Sequence, residues 1–239
     1  IAIWAVSTFA NRATAPFRVT GDGSVVASSF TAINSVTIST IFETAGRFNS
    51  ATGGSGANTF DTNGVNVVTG GTGGSFANTT LVLPGSTAAL FGSSPSFYSF
   101  GYGIAFNNAT NTGECFIGIG AVTVAGTGHT FTTNHIGFKI LKAAGTVSLY
   151  ATQADGTTEN ASSALTTFAE NDTFELILKV NGTTSVDYFF RKNGGALSSA
   201  TNLTTNLPTA NTQTLQLSSS NVSTATAFNI AFFSMRYTR

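Results

Sequence analysis

Four segments between His135 and Lys192 alternate apolar and polar residues with a period of two. In the first and third segments the apolar residues share one parity: Ile136, Phe138, Ile140, Phe174, Leu176, Leu178 and Val180. This alternation predicts β-strands with one buried face and one wetter face.

Short turns join these segments in pairs. Residues 143–146 (Ala-Ala-Gly-Thr) separate the first two segments, and Asn181-Gly182 separates the last two. Asn-Gly between alternating segments is a strong hairpin signal because both residues tolerate positive φ. The sequence therefore predicts two β-hairpins, and we expect their four strands to form the centre of an antiparallel sandwich.

Further short strands are predicted along most of the chain after Thr40. They lie near residues 41–48, 65–69, 75–83, 97–106, 114–121, 135–142, 146–153, 173–180, 185–192, 212–218 and 227–237. The Gly-, Ser- and Thr-rich stretches 50–56 and 69–74 are predicted loops. The last segment is apolar on both parities, which is typical of a central strand. About a dozen strands without helices indicate an all-β, antiparallel two-sheet jelly roll.

The first forty residues differ from the rest, and we predict two domains, 1–40 and 41–239. Two short strands flank Gly21-Asp22-Gly23, which predicts a β-hairpin neck before the sandwich. An isolated hairpin is marginal in water, so the apolar residues of this segment must pack elsewhere. Either the following domain or copies of the same segment from other chains could cover them, and we favour the copies. The predicted oligomer interface contains Trp4, Phe9, Phe17 and Val19.

Composition narrows the choice of partners. Charged residues make up 8% of the chain and the formal net charge is zero, so there is no basic footprint for nucleic acid or for a membrane surface. No apolar run reaches the roughly 18 residues of a membrane helix. The chain begins at Ile1 without a charged leader, so we expect no signal peptide and a fragment or a processed product.

The N-terminal segment resembles a known viral element. Ala15-Pro16-Phe17-Arg18-Val19, the Gly21-Asp22-Gly23 turn and the small residues after Val25 are similar to a segment of tail fibres and tail tips of tailed bacteriophages. In those proteins the segment lies in a neck where three chains wind together, usually before a globular head. The resemblance therefore implies a homotrimer within a virion.

The remainder resembles the heads of such fibres, which are concanavalin A-like and laminin-G-like jelly rolls. The stretches that carry this resemblance are 41–48, 135–151, 188–194 and Leu207-Pro208. It implies a phage or prophage structural protein, extracellular on the virion, with other tail proteins and a host-surface receptor as partners.

Catalytic motifs are missing from the sequence. Glucanases of this fold place two carboxylates on one strand, because retaining hydrolysis needs carboxyl groups about 5 Å apart. Only Glu170 and Asp172 have the right spacing, and they lie in a predicted turn. No Gly-x-Ser-x-Gly elbow marks a nucleophilic serine. We therefore predict no catalytic residues and no enzyme activity.

Metal and cofactor sites are also not predicted. His129 and His135 have no third ligand nearby for zinc. The oxygen donors available to calcium are Asp155, Asn160, Asn171 and Asp172, without a dense ligand run. The single cysteine, Cys115, is predicted to be an inert thiol in a strand.

Aromatic residues near position 100 provide the candidate ligand-binding surface. Tyr98 and Tyr102 could stack on sugar rings and offer hydroxyl groups, although alternate aromatics in a strand usually belong to the core. The overall prediction is a non-enzymatic virion structural protein, a tail fibre or tail-tip module. Its head binds a host-surface ligand, for which a glycan is a candidate. The alternatives are a glycan-degrading enzyme on the same sandwich, a bacterial surface adhesin and a capsid decoration protein.

Overall fold

The structure is a computed structural model. It describes residues 17–19, 25–27, 35–37, 49–61, 64–69, 73–82, 96–106, 113–143, 145–169, 171–209, 214–221 and 228–238. The backbone divides into two units, residues 1–35 and 36–239. The predicted boundary at residue 40 stays a prediction.

The first unit contains strands β1 (Phe17–Val19) and β2 (Val25–Ala27). They pair antiparallel with Phe17 opposite Ala27, which confirms the predicted hairpin. Trp4 and Phe9 lie outside the described residues, as do the side chains of Phe17 and Val19. The proposed subunit interface therefore stays a prediction.

The second unit is built from strands throughout its described part. The strands are β3 (Ser35–Thr37), which begins one residue before the division, β4 (Asn49–Gly53), β5 (Ala57–Asp61), β6 (Gly64–Val68), β7 (Ser75–Val82), β8 (Ser96–Phe106), β9 (Gly113–Gly120), β10 (Thr123–Ala125), β11 (Gly128–Thr130), β12 (His135–Ala143), β13 (Thr146–Ala154), β14 (Glu159–Ala161), β15 (Thr166–Phe168), β16 (Thr173–Asn181), β17 (Ser185–Lys192), β18 (Thr201–Leu203), β19 (Thr214–Asn221) and β20 (Phe228–Thr238).

Two antiparallel sheets form the sandwich, and the all-β expectation is confirmed. Sheet I has the order β14-β13-β12-β9-β19-β7-β4, with β15 also paired to β13. Sheet II has the order β18-β17-β16-β8-β20-β6-β5, with β3 also paired to β20. Strands β10 and β11 form a separate hairpin. No helix among the described residues is long and apolar enough to cross a membrane.

Both hairpins predicted between residues 135 and 192 are confirmed. Ile140 lies opposite Leu149 in the β12–β13 pair, and Leu178 lies opposite Tyr188 in the β16–β17 pair. Our expectation that these four strands form the centre was wrong, because the middle strands are β9 and β8. Hairpins pair locally, whereas the middle of each sheet is formed by strands that are distant in sequence.

The first half of the chain contains a strand where a loop was predicted. The stretch 50–56 was expected to be a loop, but residues 50–53 belong to β4, and only residues 54–56 turn towards β5. An edge strand with little buried surface needs no apolar alternation, so composition alone misses it. The opening strand predicted at residues 41–48 lies outside the described residues.

The core lies between the sheets and follows the predicted parity. Ile136, Phe138, Leu176 and Leu178 are fully buried, and each such side chain contributes about 1.5–3 kcal/mol on burial. Tyr188 also joins the two sheets, since its hydroxyl donates to the Thr152 carbonyl (3.1 Å) and to Gln153 Oε1 (3.0 Å). Burial raises the Tyr188 pKa well above its usual value. Cys115 is a free, buried thiol in β9, as expected.

Candidate functional site

The predicted aromatic surface on β8 is divided between two faces. Tyr98 is completely buried and belongs to the core cluster. Phe97 points the other way and is 41% exposed. The Tyr102 side chain lies outside the described residues. Among the described aromatics of this stretch, the ring available to a ligand is therefore that of Phe97.

Phe97 belongs to the outer face of sheet II, which we call the exposed face. Its described members project from β8, β16, β17 and β18, opposite in parity to the core residues: Phe97, Ser99, Glu175, Ile177, Lys179, Asp187, Phe189, Arg191 and Asn202. All of them are partly or fully exposed. The face thus combines apolar rings and chains with hydrogen-bonding groups.

Asp187 is the most firmly held polar group of the exposed face. It accepts hydrogen bonds from Asn202 Nδ2 (2.6 Å) and Asn181 Nδ2 (2.8 Å), and Lys179 Nζ lies 3.7 Å away. Partial burial raises the Asp187 pKa, but the bonds from Asn181 and Asn202 and the charge of Lys179 outweigh it. The net pKa is lowered, so the group is a carboxylate at neutral pH.

A second polar group lies four residues away along β16 and β17. Arg191 Nη1 donates to Glu175 Oε2 at 2.9 Å, and Ser99 Oγ donates to Glu175 Oε1 at 3.1 Å. The Arg191 side chain is 41% exposed and the Glu175 side chain is 34% exposed. These groups are oriented before any ligand arrives, which lowers the ordering cost of binding.

The part of the outer face of sheet I that β9 and β19 form is covered instead of exposed. Residues 121–134, which contain β10 and β11, lie over Glu114, Phe116, Gln216, Ser218 and Ser220. We call this segment the cap and the surface beneath it the capped face. Gln216 fixes the start of the cap, because its Oε1 accepts the Val122 N–H (2.7 Å) and its Nε2 donates to the Val122 carbonyl (2.6 Å).

His129 fixes the other side of the cap. Its Nε2 lies 2.9 Å from Ser218 Oγ, and its Nδ1 lies 3.0 Å from Ser220 Oγ. Its backbone N–H donates to Glu114 Oε2 at 2.6 Å. Burial lowers the His129 pKa more than Glu114 raises it, so the ring is neutral at pH 7. One ring nitrogen then donates to a serine hydroxyl and the other accepts from a serine hydroxyl.

Aromatic rings fill the space beside these polar contacts. Phe131 makes edge contacts with Phe116 (6.3 Å between centroids) and His135 (6.0 Å), and the His129 ring stacks on Phe131 (5.5 Å). Gly118 leaves room for Phe116, since a Cβ at this glycine would lie 2.7 Å from the Phe116 ring. The cap is therefore closed by both apolar and polar contacts.

His135 is the second buried histidine of this region. Its Nδ1 donates to the Thr133 carbonyl (2.7 Å), which leaves Nε2 as an acceptor 3.0 Å from Thr152 Oγ1. Thr152 Oγ1 also lies 2.7 Å from Glu159 Oε1, so its single hydroxyl proton is shared between two acceptors. Glu159 in turn pairs with Lys139 Nζ (2.6 Å). Burial lowers the His135 pKa to about 4.

The cluster of Ser218, His129 and Glu114 has the order of a serine hydrolase triad. Glu114 Oε2 lies 3.4 Å from His129 Nδ1, opposite the nitrogen that contacts Ser218. Burial raises the pKa of Glu114, but the contacts with His129 lower that pKa by more. The net pKa is lowered, so Glu114 is ionised. However, the side chains of Ser218 and His129 are completely buried. In this closed arrangement the cluster holds the cap in place.

The two carboxylates considered for calcium already have protein partners. Asp155 Oδ1 accepts the backbone N–H groups of Thr157 and Thr158, and Asp172 pairs with Lys192 at 2.7 Å. Asn160 Nδ2 donates to Thr205 Oγ1. Asn171 has a left-handed backbone (φ 66°) in the turn before β16. Within the described ranges, no group of three or more His, Cys, Asp or Glu residues could hold a metal ion.

The sequence matches no family model and no curated protein. Solved structures show the fold. The lectin UEA-II complexed with galactose has a TM-score of 0.53 at 11% identity, over 85% of this chain and 97% of that chain. Peanut lectin has a TM-score of 0.52 at 12% identity, also over 85% of this chain and 97% of that chain.

A third similar structure comes from a virus. It is a carbohydrate esterase from the Shiga toxin-encoding bacteriophage phi24B, with a TM-score of 0.51 at 14% identity, over 88% of this chain and 100% of that chain. At these identities the likeness establishes the fold alone. The second unit is a lectin-like, concanavalin A-like jelly-roll sandwich, as the resemblance implied.

The sequence predicted a candidate surface on β8, which contributes Phe97 and Ser99 to the exposed face, but the predicted Tyr98 is buried in the core. The members of the face on β16, β17 and β18 were not predicted. Ile177, Phe189 and Asp187 lie on the wetter parity of the β16–β17 hairpin. An apolar residue on the polar parity of a strand was the available signal. The capped face was missed entirely, because serines in β19 give no sign that a distant segment covers them.

Proposed function

We propose that this chain is a non-enzymatic structural module of a phage virion, a tail fibre or tail-tip component, whose jelly-roll head binds a glycan of the host surface. The observation that carries the proposal is the exposed face, with Phe97, Ile177 and Phe189 beside the fixed polar groups of Asp187 and Glu175. Aromatic and aliphatic surfaces pack on sugar rings while oriented carboxylates and amides bind hydroxyl groups.

Two further findings support the viral part of the proposal. The β1–β2 hairpin forms at the residues that resemble phage fibre necks, and the similar esterase structure comes from a bacteriophage. The glycan part is supported by the similar lectin structure that was solved with galactose. We propose a homotrimer joined through residues 1–40 with Trp4, Phe9, Phe17 and Val19 between subunits, located outside the host cell on the virion.

Glycan binding is tested with an array that contains bacterial lipopolysaccharides, capsular polysaccharides and neutral oligosaccharides. We expect saturable binding that Phe97→Ala and Asp187→Asn each weaken at least about tenfold, which corresponds to about 1.4 kcal/mol. Val82→Ala is the matched control, since Val82 is 57% exposed on the other sheet. Absence of binding to every glycan, or equal binding by all variants, would refute the proposal.

The trimer is tested by light scattering on the whole chain. We expect the mass of three subunits, and we expect deletion of residues 1–34, which keeps β3 in the chain, to leave a folded monomer. A monomeric whole chain would remove the fibre interpretation while leaving glycan binding intact.

The triad-like order of Ser218, His129 and Glu114 is the specific observation that favours the enzyme alternative. A substrate would have to displace the cap, which itself carries His129, so opening the site would dismantle it. We therefore expect the unmodified chain to hydrolyse acetylated polysaccharides and p-nitrophenyl acetate no faster than the Ser218→Ala variant does. Turnover that Ser218→Ala abolishes, in a variant that is still folded, would establish the enzyme instead.

A further inference from the structure

The strand register arranges the exposed face in rows that run across the strands. The three rows are Phe97, Lys179, Asp187 and Asn202; Ser99, Ile177 and Phe189; and Glu175 and Arg191. The middle row is mostly apolar, and ion pairs lie in the rows on both sides. Polarity therefore changes along each strand but stays similar from one strand to the next.

The dimensions of the middle row follow from sheet geometry. Neighbouring strands are about 4.8 Å apart, so the row spans about 10 Å from β8 to β17. Rows on one face are two residues apart, which is about 7 Å along a strand. The apolar surface is therefore a narrow strip across the strands, bordered by longer polar side chains.

The polar borders are held in place by their own contacts. The Lys179–Asp187 and Arg191–Glu175 pairs each join β16 to β17 within one row. Asn202 extends the first border to β18 through its bond to Asp187. Hydrogen-bonding groups thus flank the strip along its length, where they can contact successive units of a chain.

A second protein copy fits this surface poorly. Stable interfaces bury about 1,200–2,000 Å² in total, and their centres are depleted of charged residues. Here two ion pairs border an apolar strip formed by the side chains of Ile177 and Phe189, with Phe97 in one border. A narrow, hydroxyl-rich chain can use both the strip and its borders.

From this arrangement we infer that the exposed face binds an internal stretch of a linear glycan, laid across β8, β16 and β17, and not a single terminal sugar held end-on. The rings pack over Ile177 and Phe189, and their hydroxyl groups bond to the Asp187–Asn202 and Glu175–Arg191 borders. This inference rests on the proposed glycan-binding function and specifies its ligand class.

The test is a competition series on the whole chain. The probe is the array polysaccharide that binds most tightly, immobilised, and the competitors are its own size-fractionated partial hydrolysates, from the monosaccharide to the hexasaccharide. We expect inhibition to improve at least about tenfold from the monosaccharide to the trisaccharide or tetrasaccharide and then to level off. The substitutions Ile177→Ala and Phe189→Ala should reduce the gain in inhibition with oligosaccharide length, whereas Val82→Ala should leave that gain unchanged.

Each outcome separates the two hypotheses. A monosaccharide that competes as well as the hexasaccharide overturns the linear-chain inference but keeps glycan binding. Failure of all glycans to bind overturns the proposed function and this inference with it. If Phe189→Ala changes the subunit count by light scattering, the face is a protein interface and the inference fails.

Discussion

The outer faces of the two sheets differ in what covers them. The capped face lies under residues 121–134 and buries two histidines, a glutamine and two serines. The exposed face carries a similar number of polar groups, which bond to each other at the surface. The same strand alternation thus gives a locked structural layer on one sheet and a preorganised surface on the other, depending on whether a connecting segment, here the one between β9 and β12, folds over it.

Truncating an aromatic side chain should give the largest difference in stability between the two faces. Phe116 is fully buried beneath the cap, so Phe116→Ala should lower the free energy of unfolding by about 3–5 kcal/mol through lost burial and a cavity. Phe97→Ala should cost less, about 1 kcal/mol, because 41% of this residue is already exposed to water. Urea unfolding of both variants measures this difference, and equal losses would show that the faces are not distinct.

Removing a cap contact should have the next largest effect. Gln216→Ala leaves the buried N–H and carbonyl of Val122 without the partners they have here. Each unsatisfied group costs about 1–3 kcal/mol, so we expect a loss of about 2–6 kcal/mol and faster amide exchange over residues 121–131. Asn202→Ala on the exposed face is the control and should cost less than about 1 kcal/mol. Unchanged exchange in the Gln216 variant would mean that Gln216 does not hold the cap.

Acid should weaken the capped face first. The His135 pKa falls from 6.5 in the unfolded chain to about 4 in the folded chain, so the folded state favours the neutral ring. The contribution of the neutral ring to the free energy of unfolding is present above pH 6.5 and is lost as the pH falls towards 4. Between about pH 7.5 and pH 5 the loss amounts to about 2 kcal/mol. The His129 pKa is also lowered and adds a loss of the same sign.

The groups around these histidines are Glu114, Lys139 and Glu159. The lowered pKa of Asp187 on the exposed face lies below its ordinary 3.8, so its contribution is lost only in stronger acid. Chemical denaturation as a function of pH measures the slope. We expect His135→Gln to have a shallower slope than the unmodified chain, and an identical slope would contradict the assignment.

Neutralising a surface ion pair should have the smallest effect. Glu175→Gln removes the charge opposite Arg191, and exposed pairs of this kind contribute about 0–1 kcal/mol. We expect the midpoint of unfolding to change little while the affinity for the glycan falls. A large loss of stability would show that this pair supports the fold and does not serve mainly as a polar border for a ligand.

The sequence predicted the hairpins and the fold class because these depend on local alternation and turn residues. Leu176 and Phe189 could be assigned to opposite faces, since the parity of β16 and β17 is clear. The parity of β8 could not be assigned, because Phe97, Tyr98 and Phe100 place aromatic rings on both sides of the strand. The capped face was beyond prediction, since the burial of Ser218 depends on a segment about ninety residues away.

The order in which the strands are connected has a consequence for biosynthesis. Strand β19 lies between β9 and β7 in sheet I, and β20 lies between β8 and β6 in sheet II. Both inserted strands follow their sheet neighbours in the chain, β19 at Thr214–Asn221 and β20 at Phe228–Thr238. A ribosome must therefore synthesise the strands on both sides of each gap before the strand that fills it, and the emerging chain presents two unfilled gaps at once. Chaperone engagement during translation is then expected to persist until β19 and β20 are made.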